Sequence, residues 1–199
     1  MGEDKSLEMH KEEQTFLDDL CILVSGARTK AFVSINYSLV ERNWNIGRLI
    51  VEQEQQGNVR AEYGKRVMEL ASRRLTREFG KGFSITNIKN FRSFYLKFRN
   101  LLINETPSDF SATAKGQALP DLLPWTHYER LIRVQNPEAR EWYAREALLQ
   151  TWSYRTLDRN INTQYYDRLL LSQRKSPVTK EMKERTHQYQ TNLLLSRTP

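Results

Sequence analysis

Apolar residues recur at helical spacing along most of this chain. Between about Thr29 and Gln55, for example, Phe32, Ile35 and Leu39 are three and four positions apart. Glycine and proline are scarce, with 8 and 6 among 199 residues, so long stretches run without a helix breaker. The pattern therefore predicts a mainly α fold.

The breaks in this pattern divide the chain into helices. Gly57-Asn58 ends one helix, and Asn136-Pro137 begins another, because Asn caps a helix and Pro is tolerated at its first position. After Lys175 the chain is polar, which is typical of a linker or of a final amphipathic helix. The predicted helices cover about residues 8–25, 29–55, 61–79, 84–99, 125–134, 136–149 and 153–171.

These helices group into five segments. Pro107, Gly116 and Pro120 mark a stretch without periodicity, which we interpret as a loop between subdomains or as a wing. The predicted segments are an acidic N-terminal helical segment (1–28), a long helix with a helix-turn-helix-like unit (29–99), the loop or wing (100–124), a second helical unit (125–172) and a polar tail or linker (173–199).

The centre of the 29–99 segment has the layout of a helix-turn-helix. A basic helix ends at Phe79-Gly80-Lys81-Gly82, and Ser84 caps the next helix, with Phe83 before it as the aromatic half of a hydrophobic staple. The predicted fold is therefore mainly α, with a helix-turn-helix or winged-helix-like unit and a second, smaller helical unit. Trp152-Ser153 repeats the aromatic-Ser pair, either by duplication or by independent use of one capping device.

Positive charge is concentrated in the same region. Residues 60–99 contain eleven Lys or Arg and three Glu, a net +8, whereas the whole chain is +7. Residues 1–20 have a net charge of −5. A local basic excess on a helix-turn-helix favours an anionic partner, and duplex DNA is the partner we predict.

The second helix of the unit has one apolar and one polar side. Ile85, Ile88 and Phe91 lie on the apolar side, and the polar side carries Lys and Asn, which can pair with base edges or phosphates. An ordinary solvated face is the alternative. The predicted nucleic-acid-binding residues are Arg73, Arg74, Arg77, Lys81, Ser84, Thr86, Asn87, Lys89, Asn90, Arg92, Ser93 and Lys97, with Arg155 and Arg159 as secondary candidates.

No catalytic pattern is found in the sequence. His10, His127 and His187 are far apart, and no phosphate-binding glycine motif is present. Glu181-Met182-Lys183 has a spacing used by metal-dependent nucleases, but it lies in a polar segment and we interpret it as a coincidence. We therefore expect no catalytic residue, no metal site and no cofactor.

The single cysteine, Cys21, lies in the apolar run Leu20–Val24 and is predicted to be a core thiol. A lone cysteine forms no internal disulfide, which favours a reducing compartment. No run approaches the roughly eighteen apolar residues of a membrane span, and the acidic start does not resemble a signal peptide. The expected location is the cytoplasm, without a membrane partner.

Several short motifs in order resemble one bacterial family. They are Asn43-Trp44-Asn45-Ile46-Gly47-Arg48, Tyr63-Gly64, Phe79-Gly80-x-Gly82-Phe83-Ser84, Phe91-Arg92-x-Phe94-Tyr95, Leu123-Pro124-Trp125-Thr126-His127-Tyr128 and Trp152-Ser153-Tyr154-Arg155. Over about residues 30–172 the chain is similar to the N-terminal domain of the YhcG family. The resemblance implies a helical, helix-turn-helix or winged-helix-like domain. In most members this domain precedes a nuclease domain of the PD-(D/E)xK type.

The residues and the resemblance together predict a DNA-binding module that targets a nuclease-type system. The nuclease carboxylates and lysine of the family are not in this chain, so we expect it not to be an enzyme and to work with a nuclease domain or subunit. The alternative is a helical interaction module. In that case the helix from Thr29 to Gln55 and the acidic N-terminus would form a homodimer or bind another protein, without nucleic-acid binding.

Overall fold

The computed structural model describes residues 2–56, 61–101, 122–172 and 175–195. These ranges are helical and contain no strand, which confirms a mainly α fold. Most of the predicted loop or wing (100–124) lies outside them. The helices are α1 (Gly2–Gln56), α2 (Ala61–Phe79), α3 (Ile85–Lys97), α4 (Trp125–Leu131), α5 (Pro137–Leu149), α6 (Tyr154–Asn162), α7 (Tyr165–Leu171) and α8 (Lys175–Leu195).

The N-terminal helix is longer than predicted. Two helices were expected, at 8–25 and 29–55, but α1 is continuous through Gly26. A glycine inside a helix costs only about 1 kcal/mol, which good helix formers nearby, such as Ala27 and Ala31, can offset. Residues 13–32 of α1 are all exposed. Cys21 is therefore exposed, and the prediction of a core thiol was wrong.

Capping side chains set the starts of three helices where the sequence predicted them. Ser84 accepts a hydrogen bond from the backbone N–H of Asn87, and Ser153 accepts one from that of Thr156. Asn136 caps α5, whose first residue is proline. Local chemistry thus determines these boundaries.

The helix predicted over 153–171 is broken in two. Gln164 has φ of 53°, a left-handed conformation that ends α6 and begins α7. The break allows both Tyr165 and Tyr166 to be buried, and the backbone N–H of Tyr166 donates to the hydroxyl of Tyr143. The left-handed residue changes the direction of the chain, so the sides to which Tyr165 and Tyr166 point are not set by the rotation of α6.

The polar tail beyond the second unit forms the helix α8. The sequence predicted either a linker or a final helix for this segment, and the structure has a helix. Met182 and Thr186 of α8 are buried. The side chain of Asn160, also buried, donates to the hydroxyl of Thr186 at 3.3 Å. Residues of α8 are therefore packed against α6.

The main apolar core joins α1 and α3 to the helices of the second half. Trp44, Phe94 and Tyr128 belong to it, and the indole of Trp44 donates to the carbonyl of Phe98 at 3.0 Å. A second cluster contains Ile50, Phe83, Ile88 and Phe91 and connects α1, α3 and the turn before α3. In the parts of the chain that are described, no helix combines the length and apolar character needed to span a membrane.

Gly47 brings α1 and α3 into close contact. A Cβ atom at this position would lie 2.1 Å from the carbonyl oxygen of Phe91. No side chain fits there without movement of the backbone. The position of α3, which carries most of the predicted site, is thus fixed by a glycine on α1.

Candidate nucleic-acid interface

The turn between α2 and α3 is held by its glycines, by hydroxyl groups of α2 and by a buried ring of its own. Gly80 and Gly82 have φ of 78° and 120°, a region that glycine adopts without strain. The hydroxyls of Ser72 and Thr76 on α2 donate to the carbonyl oxygen of Phe83 at 2.8 and 3.3 Å. Because the Phe83 ring is buried, the turn is anchored both by its backbone and by its side chain.

The exposed side of α2 carries a line of arginines. Arg66, Arg73 and Arg77 are seven and four residues apart, so they lie within about 40° of each other around the helix axis. All three are exposed, and the line is about 16 Å long at 1.5 Å per residue. We call these three residues the α2 basic stripe. Lys81, also exposed, follows in the turn.

Arg74 lies to one side of the α2 basic stripe. Its guanidinium forms an ion pair with Glu78, four residues later on the same helix. Its charge is therefore partly balanced, whereas no described acidic side chain is within ion-pair distance of the stripe itself.

The polar side of α3 faces solvent as predicted. Thr86 and Lys89 are exposed, and Asn90 and Ser93 are half-buried. The opposite side is in the core, with Ile88, Phe91 and Phe94 buried. These four polar residues lie on the accessible polar side of α3.

Two of the predicted binding residues hold the turn together. The Ser84 hydroxyl accepts from the Asn87 backbone N–H at 3.3 Å, and the Asn87 side-chain amide donates to the Gly82 carbonyl at 2.9 Å. Their side-chain hydrogen-bonding groups contact the backbone of the turn. The structure gives Ser84 and Asn87 a capping role, which the sequence pattern alone did not separate from ligand binding.

Arg92 and Lys97 also make contacts within the protein. The Nε of Arg92 donates to both carboxylate oxygens of Glu54, at 3.0 and 2.8 Å, and so connects α3 to α1. The ammonium of Lys97 donates to the carbonyl of Ile132, just beyond the end of α4. Partial burial, and secondly the charge of Arg140, lower the pKa of Lys97.

The secondary candidates lie on α6. Arg155 is exposed, while the Arg159 guanidinium lies over the Tyr189 ring, 5.3 Å from its centroid. Arg159 thus packs against α8, and Arg155 is the more exposed of the two.

Two exposed residues of α2 that could contact nucleic acid are absent from the predicted set of binding residues. Arg66 belongs to the α2 basic stripe, and its spacing from Arg73 and Arg77 was the signal that could have identified it. Phe79, at the end of α2, is 66% exposed, although phenylalanine is more often buried in a core. Its ring is on the other side of α2 from Arg77, with its centroid 6.1 Å from that of Phe83, and offers an exposed surface on which a base or sugar can pack.

Glu181 and His127, which the sequence analysis considered for catalysis, make contacts within the protein. Glu181 forms ion pairs with Arg168 at 3.0 Å and Arg185 at 3.1 Å. The Nε2 of His127, which is buried, is 2.8 Å from the carbonyl oxygen of Trp152. Burial lowers the pKa of His127, and this hydrogen bond partly opposes the shift.

Comparison with known proteins assigns the chain to a family. Residues 19–168 match the family described as DUF1016 N-terminal domain, and the chain belongs to that family. It is 35% identical over 187 residues to the protein named "Putative nuclease YhcG" from Escherichia coli (strain K12). This confirms the resemblance to the YhcG family. The alignment covers 84% of this chain and 49% of the relative, so the chain spans about half the length of that protein. No solved structure matches the chain.

Proposed function

We propose that this domain binds duplex DNA through α2, the turn and the polar side of α3, as the targeting module of a nuclease-type system in the cytoplasm. The observation that carries the proposal is the combination of two exposed surfaces on helices joined by one short turn, namely the α2 basic stripe and the polar side of α3. A helix-turn-helix uses such a pair, because one helix contacts phosphates while the next presents polar side chains to base edges.

The two surfaces are assigned different roles. Arg66, Arg73 and Arg77 present charge along about 16 Å, which suits successive phosphates of one strand. Lys89 and Asn90 are the candidates for base contacts, since Lys pairs with guanine and Asn with adenine. The link between the family and a protein named as a nuclease supports a role in positioning DNA for a nuclease domain or subunit.

Fluorescence anisotropy with a labelled duplex tests the proposal. We expect binding at about 50 mM salt that weakens steeply as salt rises, with a log–log slope of about −0.9 for each phosphate contact. Arg73→Ala/Arg77→Ala should lower affinity at low salt and reduce the slope by about 2. Absence of binding at about 50 mM salt would reject the proposal.

Matched variants locate the interface. Arg155→Ala removes one exposed arginine from α6 and should leave affinity close to that of the wild type. Lys89→Ala and Asn90→Ala should reduce discrimination between duplexes more than they reduce the salt slope. Loss of binding in Arg155→Ala, with retention in the Arg73/Arg77 variant, would move the interface to the second half of the chain.

We also propose that this stretch of the chain does not itself cut DNA. The Glu181 carboxylate is held by two arginines, and Met182 beside it is in the core, so the first two residues of the Glu-x-Lys motif take part in the packing of α8. Incubation of plasmid with the protein and Mg²⁺ or Mn²⁺ should leave the DNA intact. Metal-dependent cleavage that Glu181→Ala abolishes would overturn this assignment.

A further inference from the structure

The N-terminal half of α1 exposes an unusual amount of apolar surface. Phe16 is 60% exposed, Leu17 53%, Leu23 71% and Ile35 61%. With about 100° per residue, a set of eight exposed side chains falls within an arc of about 120°. This set, which we call the α1 stripe, consists of Phe16, Leu17, Leu20, Leu23, Val24, Ala27, Ala31 and Ile35.

The α1 stripe is on the wrong side of the helix to be part of the core. Farther along α1, the buried residues include Val40, Trp44 and Val51. At about 100° per residue, their side is about 140° around the helix axis from the centre of the α1 stripe. Toward its C-terminal end, α1 therefore packs one apolar side against the rest of its own chain. Nearer its N-terminus, α1 exposes a second apolar side on the opposite face.

The spacing within the α1 stripe is that of paired helices. Leu17, Leu20, Val24, Ala27 and Ala31 alternate steps of three and four residues, as the two apolar positions of a heptad do. From residue 16 to residue 35 the stripe is about 29 Å long at 1.5 Å per residue. A continuous apolar face of this length marks a protein interface rather than ordinary surface.

Charge along the same segment shows which partner fits. Asp19 lies beside the beginning of the α1 stripe, and Lys30 lies beside its end on the same edge, each about 80–100° around the helix from the stripe centre. Two copies aligned in parallel would place acid beside acid and base beside base. Two copies in antiparallel alignment place Asp19 of one near Lys30 of the other. The segment is thus complementary to itself in one orientation only.

We infer that two copies of this chain pair in antiparallel orientation through the α1 stripe, with the two-fold axis near Val24. Each α1 buries the same residues, as a closed two-fold interface requires. The interface lies on residues 16–35 of α1. The region from Thr29 to Gln55 that the sequence favoured contributes mainly to the core of its own chain.

Sedimentation equilibrium on the full chain tests the inference. The wild type should have twice the single-chain mass at micromolar concentration. Leu20→Glu/Val24→Glu, two charges within the α1 stripe, should have the single-chain mass with unchanged helical circular dichroism. The matched control is Ile22→Glu, because Ile22 is 69% exposed on the opposite side of α1. It should remain dimeric.

Three outcomes of that experiment would overturn the inference. They are a monomeric wild type, a dimer that survives the double substitution, and a control that dissociates as readily as the double variant. Charge exchange gives an independent test. Asp19→Lys and Lys30→Asp should each weaken the dimer, and the two together should restore it. Additive weakening in the combined variant would contradict the antiparallel arrangement.

Spin labels measure the orientation directly. In a Cys21→Ser background, single cysteines at Ser25 and Gln14 carry the labels. The antiparallel pair places the two Ser25 labels at nearly the same level along the helix axis, and separates the Gln14 labels by about 30 Å along that axis. The Gln14 distance should therefore be clearly longer than the Ser25 distance. Similar distances at both positions would indicate a parallel pair and would reject the inference.

Discussion

The guanidinium of Arg92 on α3 is bound to the carboxylate of Glu54 on α1, with its Nε 3.0 and 2.8 Å from the two oxygens. The Glu54 side chain is only 15% exposed, so this pair is partly shielded from water. It holds the predicted recognition helix against the long helix.

Loss of either partner should therefore affect stability. We expect Arg92→Ala to lower the free energy of unfolding by about 1–2 kcal/mol, because Glu54 is left half-buried without its cation. A urea denaturation cycle with Glu54→Ala and the double variant should give a coupling energy of about 1 kcal/mol. Additive effects would show that the pair contributes nothing. Lys89→Ala, exposed on the same helix, should change stability by less than about 0.5 kcal/mol.

The contact between α1 and α3 at Gly47 should tolerate no side chain. Gly47→Ala places a Cβ 2.1 Å from the Phe91 carbonyl oxygen, and we expect a loss of about 1–3 kcal/mol from overpacking. Gly26→Ala is the matched control on the same helix, since nothing lies within 4 Å of its added Cβ. Helix propensity should make that variant more stable by up to about 1 kcal/mol. Denaturant unfolding that gives both variants the same sign would contradict this packing.

Two phenylalanines at the turn should differ sharply. Phe83 is buried with Ile88 and Phe91, so Phe83→Ala should cost about 3–5 kcal/mol. Phe79 is 66% exposed, so Phe79→Ala should change stability by about 0.5 kcal/mol or less and act on DNA affinity instead. Thermal melts and anisotropy on both variants measure the difference. A large stability loss in Phe79→Ala would show that its ring is packed.

Stability should fall in mild acid because of His127. Burial lowers its pKa in the folded state below the ordinary value of 6.5, so between the two values the unfolded chain binds more protons. The free energy of unfolding should therefore decrease as pH falls from 6.5 toward the folded-state pKa, and this contribution is fully present above 6.5. In His127→Gln the urea-derived stability should depend less on pH between 7 and 5. Parallel curves for the two proteins would exclude His127 as the cause.

Most helix boundaries could be predicted from the sequence, because a capping residue bonds to the first few residues of the helix that it begins. Ser84, Asn136 and Ser153 each bond to a backbone N–H two or three positions away, and each helix starts where predicted. The local excess of positive charge between residues 60 and 99 is likewise a property of the sequence.

Tertiary structure decided which of those side chains can meet a ligand. Arg92 and Lys97 are residue types typical of a binding face. Each instead forms a hydrogen bond within the protein, to Glu54 and Ile132, which are 38 and 35 residues away in the sequence. No local pattern specifies such pairs. The same holds for α1, where apolar spacing predicted helix correctly but did not distinguish the buried Val40 from the exposed Val24. Periodicity gives the direction of a side chain around its own axis, and only the packing of other helices determines which direction faces the core.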